Sequence, residues 1–96
     1  VVPAQADRSF ELVDLELIEG AVSESSPHAD GTEEIVLVYQ GELEIVLGEK
    51  ADERYAVPAG SVISYRADQP HIYRNLADGV TRAAMVINYA PPKKAP

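Results

Sequence analysis

The sequence predicts an all-β domain, an antiparallel sandwich or barrel of about eight strands. Short apolar segments follow one another along the chain, and each ends at Gly, Pro or Asp, as strands joined by tight turns do. No segment combines a helical period with the caps that frame a helix. β-Branched and aromatic residues dominate the apolar runs, of which Ile35 to Tyr39 is the clearest.

The N-terminal third of the chain contains two predicted strands. Residues 1–7 lack any periodic pattern and are predicted to be a linker or disordered arm. Phe10 to Ile18 is predicted as a long strand whose apolar phase shifts from even to odd numbers. Because such a shift is a one-residue slip, it predicts a β-bulge near Val13–Asp14. Residues 21–26 are predicted to form a short edge strand.

The remaining chain is an alternation of strands and turns. Gly, Pro and Asp residues mark the turns, among them Pro58-Ala59-Gly60 and Ala77-Asp78-Gly79. Strands are predicted over residues 33–40, 42–47, 54–57, 62–65, 71–76 and 81–89. The Pro- and Lys-rich residues 91–96 are predicted to be a disordered tail, which leaves residues 8–90 as the folded domain.

Composition and charge exclude several functions. A chain of 96 residues forms one domain, and it contains no apolar run long enough for a transmembrane helix. It has no cysteine, so neither a disulfide nor a thiolate operates in it. The net charge of −8, from 16 acidic and 8 basic residues, repels phosphate backbones. The chain alone is therefore predicted not to bind nucleic acid.

Two histidines and two carboxylates are candidate metal ligands. His28, Asp30 and Glu34 have even numbers, so an extended segment would place their side chains on one face. His71 lies far downstream in a similar setting, at the start of a predicted strand. The other strands are expected to form the scaffold that brings His71 to the face that carries His28 and Glu34.

The spacing of the first three candidates resembles the first motif of the cupin family. That motif is a His-x-His pair, three or four residues, Glu, six residues and Gly. Here His28, Glu34 and Gly41 match in register, and Asp30 replaces the second histidine. The resemblance extends over about residues 8–90.

The second cupin motif is present as well. Gly60, His71 and Asn75 match it in register, whereas Arg66 and Asp68 stand in place of its Pro and second Gly. The two motifs together imply the cupin fold, a double-stranded β-helix or jelly-roll barrel. They imply no particular activity, because this fold carries many functions.

A narrower resemblance is to the C-terminal sensor domain of bacterial regulators of the Xre type. It rests on Phe-Glu-Leu, His-x-x-Gly-Thr-x-Glu, Gly-Glu-Leu-Glu, Tyr-Arg-Ala-Asp-Gln-Pro-His-x-Tyr-x-Asn and a closing Ile-Asn-Tyr. In those proteins a DNA-binding helix-turn-helix domain precedes the cupin. The resemblance therefore implies a cytoplasmic location, DNA contact through a domain outside this chain, and an excised domain that begins at Val1 without methionine.

The cupin resemblance implies that His28, Glu34 and His71 meet inside the barrel. Two imidazoles and a carboxylate suit a divalent ion such as Zn, Mn, Fe or Ni and leave coordination positions open. Asp30 either adds an anionic fourth ligand or turns outward. The alternative is a metal-free site in which both histidines hydrogen-bond to carboxylates.

Three further residues are candidates for binding a small molecule. Tyr73 and Asn75 share the face of His71, and their hydroxyl and amide groups offer directional hydrogen bonds. For Asn75 the alternative is a turn anchor, and for Tyr73 a place in the core. Arg66 precedes His71 near the predicted barrel mouth, where it would hold a carboxylate or remain an exposed rim charge.

These residues are compatible with three classes of function. The first class is the ligand-binding sensor domain of a regulator. The second is a small metal-dependent cupin enzyme of the dioxygenase or isomerase type, and the third is a metal-free binding or structural cupin. The absence of an evident acid–base pair beyond the ligands favours the sensor over the enzyme. A homodimer is expected, because the long strand from Phe10 to Ile18 would present an edge for pairing.

Overall fold

The structure, a computed structural model, describes residues 9–89, and within that range the chain contains strands and turns but no helix. The strands are β1 Ser9–Leu17, β2 Val22–Ser25, β3 Glu33–Gln40, β4 Glu42–Leu47, β5 Glu53–Pro58, β6 Val62–Arg66, β7 His71–Asn75 and β8 Thr81–Tyr89. The prediction of an all-β antiparallel domain is confirmed. The predicted arm 1–7 and tail 91–96 lie outside the described residues.

Two four-stranded antiparallel sheets pack against each other. The first sheet has the strand order β1-β8-β3-β6, and the second has the order β2-β7-β4-β5. Only β4 and β5 are neighbours both in the chain and in a sheet, so every other connection carries the chain from one sheet to the other. This alternation is the topology of a jelly roll. No helix among the described residues is long and apolar enough to cross a membrane.

The core fills the space between the sheets, and β3 shows how the sequence determines it. Val36 and Val38 are completely buried, whereas the odd-numbered residues of β3 face outward. β8 likewise directs Ala83, Met85 and Ile87 inward, as predicted. Both sheets contribute to one apolar cluster, which consists of Leu17, Val36, Val38, Leu43, Ile45, Leu47, Val57, Tyr65, Ala67, Tyr73, Ala83, Met85 and Ile87.

The bulge predicted in β1 is wrong. β1 pairs with β8 in unbroken register along its whole length. Leu15 and Leu17 face the core, whereas Phe10 and Leu12 lie on the outer face with 54% and 73% of their surface exposed. The change of apolar phase therefore reflects one regular strand that is apolar on its inner face at one end and on its outer face at the other.

The turn at Gly41 requires glycine for two reasons. Its φ of +80° lies in the left-handed region, which residues with a Cβ adopt at a cost. A Cβ at this position would also lie 2.9 Å from the Cα of Thr81 and 3.0 Å from the carbonyl oxygen of Val80. Thr81 is held in place there, since its hydroxyl lies 2.6 Å from Asn75 Oδ1 and accepts a bond from the backbone N–H of Glu42.

We expect Gly41→Ala to destabilise the domain by about 3 kcal/mol or more, since it adds a backbone clash to the left-handed φ. Gly60→Ala is the matched control, because Gly60 has a φ of +90° but no atom within 4 Å of the added Cβ. It should cost only about 1–2 kcal/mol. Urea unfolding measures both changes, and equal losses would contradict the steric explanation.

Candidate functional site

The centre of the candidate site is a buried carboxylate on β3. Glu34 is 1% exposed and faces the interior, with Tyr65 of β6 and Ile87 of β8 as its register partners. A charged group in such a place is stable only if its oxygens find donors or a cation. The surroundings of Glu34 therefore indicate what this part of the barrel can bind.

One oxygen of Glu34 is satisfied by two phenols. The hydroxyl of Tyr65 donates to Glu34 Oε1 at 2.6 Å, and the hydroxyl of Tyr73 donates to the same oxygen. The two hydroxyl oxygens lie 3.2 Å apart. Because Tyr73 belongs to the second sheet and Glu34 to the first, this cluster joins the two sheets through polar contacts.

The other oxygen of Glu34 faces both histidines. Oε2 lies 3.1 Å from His28 Nε2 and 3.4 Å from His71 Nε2. Among the described residues, Oε2 and His71 Nε2 are buried atoms without a well-aligned hydrogen bond. Ligand atoms of His28, Glu34 and His71 all lie within 4.8 Å of one another. Since buried polar atoms are nearly always satisfied, two unsatisfied atoms with lone pairs, Glu34 Oε2 and Nε2 of neutral His71, beside the His28 imidazole fit a cation.

His71 is oriented by its backbone. It is completely buried at the start of β7, and its Nδ1 lies 2.9 Å from the carbonyl oxygen of Gln69. A carbonyl can only accept, so Nδ1 carries the proton in this contact and donates it. In the neutral ring the lone pair of Nε2 then faces Glu34, and in the protonated ring, which the carboxylate favours, Nε2 carries a proton toward Glu34 instead. Fixing one nitrogen through a carbonyl is how proteins orient metal-binding histidines.

His28 enters the site from a loop at the rim. Its side chain is 30% exposed, and its backbone N–H donates to the carbonyl of Ala67 at 2.9 Å. Asp68 strengthens the same junction, because its carboxylate accepts a bond of 2.9 Å from the N–H of Gly31 and pairs with Arg66. The loop before β7 therefore holds the loop that carries His28.

Asp30 is not part of the cluster. The chain from Ala29 to Thr32 forms a turn, closed by a bond of 3.1 Å from the N–H of Thr32 to the carbonyl of Ala29. The expectation that Asp30 shares a face with His28 and Glu34 assumed an extended segment. The turn breaks that alternation, so Asp30 is exposed and offers no atom to the group.

The three residues predicted to bind a ligand have different environments. Tyr73 lies at the cluster, with its hydroxyl on Glu34. Asn75 does not line the site, because its Nδ2 reaches the carbonyls of Leu17, Ile18 and Gly79 and its Oδ1 accepts from Ala77 N and lies 2.6 Å from Thr81 Oγ1. It anchors turns, the alternative recognised from the sequence. Arg66 is an exposed rim residue paired with Asp68.

The electrostatics of the cluster favour an ionised carboxylate. Burial raises the pKa of Glu34, but bonds from His71, Tyr65 and Tyr73 together outweigh burial and lower the pKa to about 2. Burial lowers the pKa of His71, and the Glu34 carboxylate and the Gln69 carbonyl more than reverse this. Burial, with the nearby Glu34 carboxylate, raises the pKa of both tyrosines, so their hydroxyls stay protonated donors.

Three residues near the site were missed from the sequence. Tyr65 is directly opposite Glu34 across the β3–β6 pair, a relation that appears only when these strands are known to be neighbours. Tyr89 places its ring edge-on to His28 at a centroid distance of 6.2 Å. Asp68 was noted only as a departure from the second motif, although it ties the two rim loops together.

A comparison with protein families identifies this architecture. The family model described as a cupin domain, Cupin_2, matches residues 13–87. The chain belongs to the cupin family. The match covers every strand that contributes to the cluster and confirms the family resemblance seen in the two motifs.

Relatives of this cupin domain include transcriptional regulators. The HTH-type transcriptional regulator SutR of Escherichia coli is 31% identical over 87 residues, which are 91% of this chain and 47% of SutR. The chain thus spans about half the length of this curated relative. The chain is homologous to the cupin part of such regulators.

Solved structures of transcriptional regulators are similar to this chain as well. The Cupin_2 domain of an XRE family transcriptional regulator from Enterobacter cloacae is 33% identical, with a TM-score of 0.76 over 88% of this chain and 83% of that domain. An HTH_3 family transcriptional regulator from Vibrio cholerae is 26% identical, with a TM-score of 0.77 over 97% of this chain and 49% of that protein. Fe(II) HppE, at 18% identity and a TM-score of 0.68 over 84% of this chain and 44% of that chain, shares the fold alone.

The pKa shift of Glu34 predicts how stability depends on pH in the metal-free protein. A pKa lowered from 4.5 to about 2 gives stability that is complete above pH 4.5 and is lost as the pH falls toward 2. Urea midpoints should decline across this window. Glu34→Gln should make the decline shallower, and an equal slope in the wild type and the variant would contradict the assignment.

Proposed function

We propose that this chain is the small-molecule-binding sensor domain of a bacterial transcriptional regulator. In this proposal a helix-turn-helix domain outside the chain contacts DNA, in the cytoplasm, and a second copy completes a homodimer. The observation that carries the proposal is the combination of regulator relatives with a buried cluster of unsatisfied ligand atoms. A charge of −8 agrees with DNA contact elsewhere, because phosphate binding requires clustered Lys and Arg.

The proposed sensor site includes a divalent metal ion held by His28, Glu34 and His71. Two imidazole nitrogens and one carboxylate oxygen suit Zn, Mn, Fe or Ni, and three protein ligands on one side leave positions for another molecule. When bound, such an ion would act as a Lewis acid and accept a lone pair from an oxygen or nitrogen atom of the effector. Asp30 is not among the proposed ligands, since it is exposed in the turn beside His28.

The two phenols have a defined role in this proposal. Tyr65 and Tyr73 occupy Glu34 Oε1, which leaves only Oε2 directed at the histidines. Glu34 would therefore bind a metal through a single oxygen. The ring of Tyr73 stands edge-on to His71 and the ring of Tyr89 edge-on to His28, so both rings lie beside the proposed ligands.

A metal-dependent cupin enzyme is the second candidate, favoured by the same three-ligand arrangement with open positions. Such an enzyme also needs a group that moves a proton near the metal. Tyr65 and Tyr73 are poor candidates, because their raised pKa values keep them protonated and their hydroxyls are already directed at Glu34. The structure thus gives the sensor better support than the enzyme.

Metal titration by calorimetry tests the proposed site. We expect Zn²⁺ or Mn²⁺ to bind at one equivalent, and His71→Ala to abolish binding. Tyr65→Phe should weaken binding about 10–100-fold, because Glu34 loses a group that orients it. Tyr55→Phe is the matched control, since Tyr55 is exposed and its hydroxyl contacts only Glu53 among the described side chains. No binding, or equal binding by all variants, would refute the metal site.

Gel shifts and thermal melts test the sensor assignment. The 96-residue chain should not retard duplex DNA at low salt, whereas the protein extended by its natural upstream segment should. A metabolite panel, with metal present, should contain a compound that raises the melting midpoint of the wild type but not of His71→Ala. Oxygen consumption or substrate turnover by the Fe(II)-loaded chain would instead support the enzyme.

A further inference from the structure

The outer face of the first sheet is apolar over its centre. On this face one register row contains Leu12, Val86 and Ile35. The next row contains Leu37, with Ala84 as its partner on one side and Val62 on the other. Leu12 and Val62 are 73% and 61% exposed, and Ile35 and Leu37 about two-fifths exposed. We call Phe10, Leu12, Ile35, Leu37, Val62 and Val86 the apolar face. Isolated exposed apolar residues are common, but a contiguous set on one sheet marks an interaction surface.

The second sheet shows what a solvated outer face looks like in the same domain. At its centre, Glu44 accepts hydrogen bonds from Arg54 at 3.3 Å and from Arg74 at 3.0 Å. These three residues form a charged network across β5, β4 and β7. The apolar face has no comparable network, so the two outer surfaces of the domain differ in kind.

Charges at the border of the apolar face are paired within the chain. The carboxylate of Asp14 accepts a bond of 2.8 Å from the hydroxyl of Tyr39, and Glu16 lies 3.5 Å from Arg82. A molecule that covers this face therefore needs no complementary charge. In an identical chain, which has the same net charge of −8, the Asp14 and Glu16 carboxylates of this face would be partnered in the same way.

The outer face of the first sheet, of which the apolar face is the centre, has an area of the order that a dimer interface requires. Four strands spaced by about 4.8 Å, with about eight residues of 3.3 Å each, span roughly 500 Å² in projection. The accessible surface of projecting side chains exceeds this area, and a standard interface buries about 800 Å² per partner. One sheet face thus provides most of a standard interface.

We infer that the apolar face is the contact surface of the homodimer, in which the first sheets of two copies pack face to face. The same patch then serves both copies, as in an interface with twofold symmetry. This differs from the pairing through the β1 edge that the sequence suggested. The inference rests on the proposed homodimer, but it does not depend on the metal site, which lies on the opposite side of the first sheet.

Sedimentation equilibrium of the 96-residue chain tests this surface. We expect a mass of twice 10.4 kDa for the wild type and a loss of dimer for Ile35→Glu, because the new carboxylate would be buried between apolar side chains. Val22→Glu is the matched control on the second sheet, where Val22 is 55% exposed and pairs with Arg74. It should remain a dimer, and metal titration of each sample should give unchanged binding.

Single-cysteine variants provide a second measurement if Ile35→Glu fails to fold. The chain has no natural cysteine, so oxidised Val86→Cys should form a covalent dimer, whereas Val22→Cys should not. A monomeric wild type that still binds metal would overturn the interface and leave the sensor site intact. A wild-type dimer that survives Ile35→Glu and is not crosslinked through Val86→Cys would place the contact elsewhere, as would a dimer lost equally in Val22→Glu.

Discussion

The buried Glu34 carboxylate is the interaction on which the interior of this domain depends. A carboxylate that is 1% exposed would destabilise any core if its oxygens had no partners. Here one oxygen receives phenols from both sheets, and the other faces two imidazoles. The arrangement converts a polar group in an apolar barrel into a link between the sheets. It also leaves Glu34 Oε2 and His71 Nε2 unsatisfied, so the proposed metal-binding position lies on the histidine side of the carboxylate.

Most of the fold could be predicted from the sequence, because its information is local. Turn residues and the alternation of apolar and polar residues predicted eight strands, and β3 and β8 have the predicted bounds. The error in β1 arose because a change of apolar phase has two causes. A bulge produces it, and so does a strand whose outer face is apolar near Phe10 and Leu12. Local periodicity cannot separate them, since only the neighbouring strand shows whether the register is continuous.

The site could be predicted only in part, for a related reason. Motif spacing led to His28, Glu34 and His71, which the fold does bring together. Parity placed Asp30 with His28 and Glu34, but parity applies only to extended chain, and a turn separates Asp30 from β3. Its outward orientation is the alternative that the sequence left open. Tyr65 went unnoticed because its relation to Glu34 depends on which strands are neighbours, and β3 and β6 are far apart in sequence. Asn75 matches the motif but holds turns together. Spacing alone cannot distinguish that role from ligand contact.

The pairing of the first and last described strands has a structural consequence. Ser9 pairs with Tyr89, the hydroxyl of Tyr89 donates to Glu11 at 3.0 Å, and the ring of Tyr89 stands edge-on to His28. The beginning of β1 is thus one side chain away from the mouth of the cluster. Tyr89 is therefore the side chain that contacts both His28, at the rim of the cluster, and the beginning of β1.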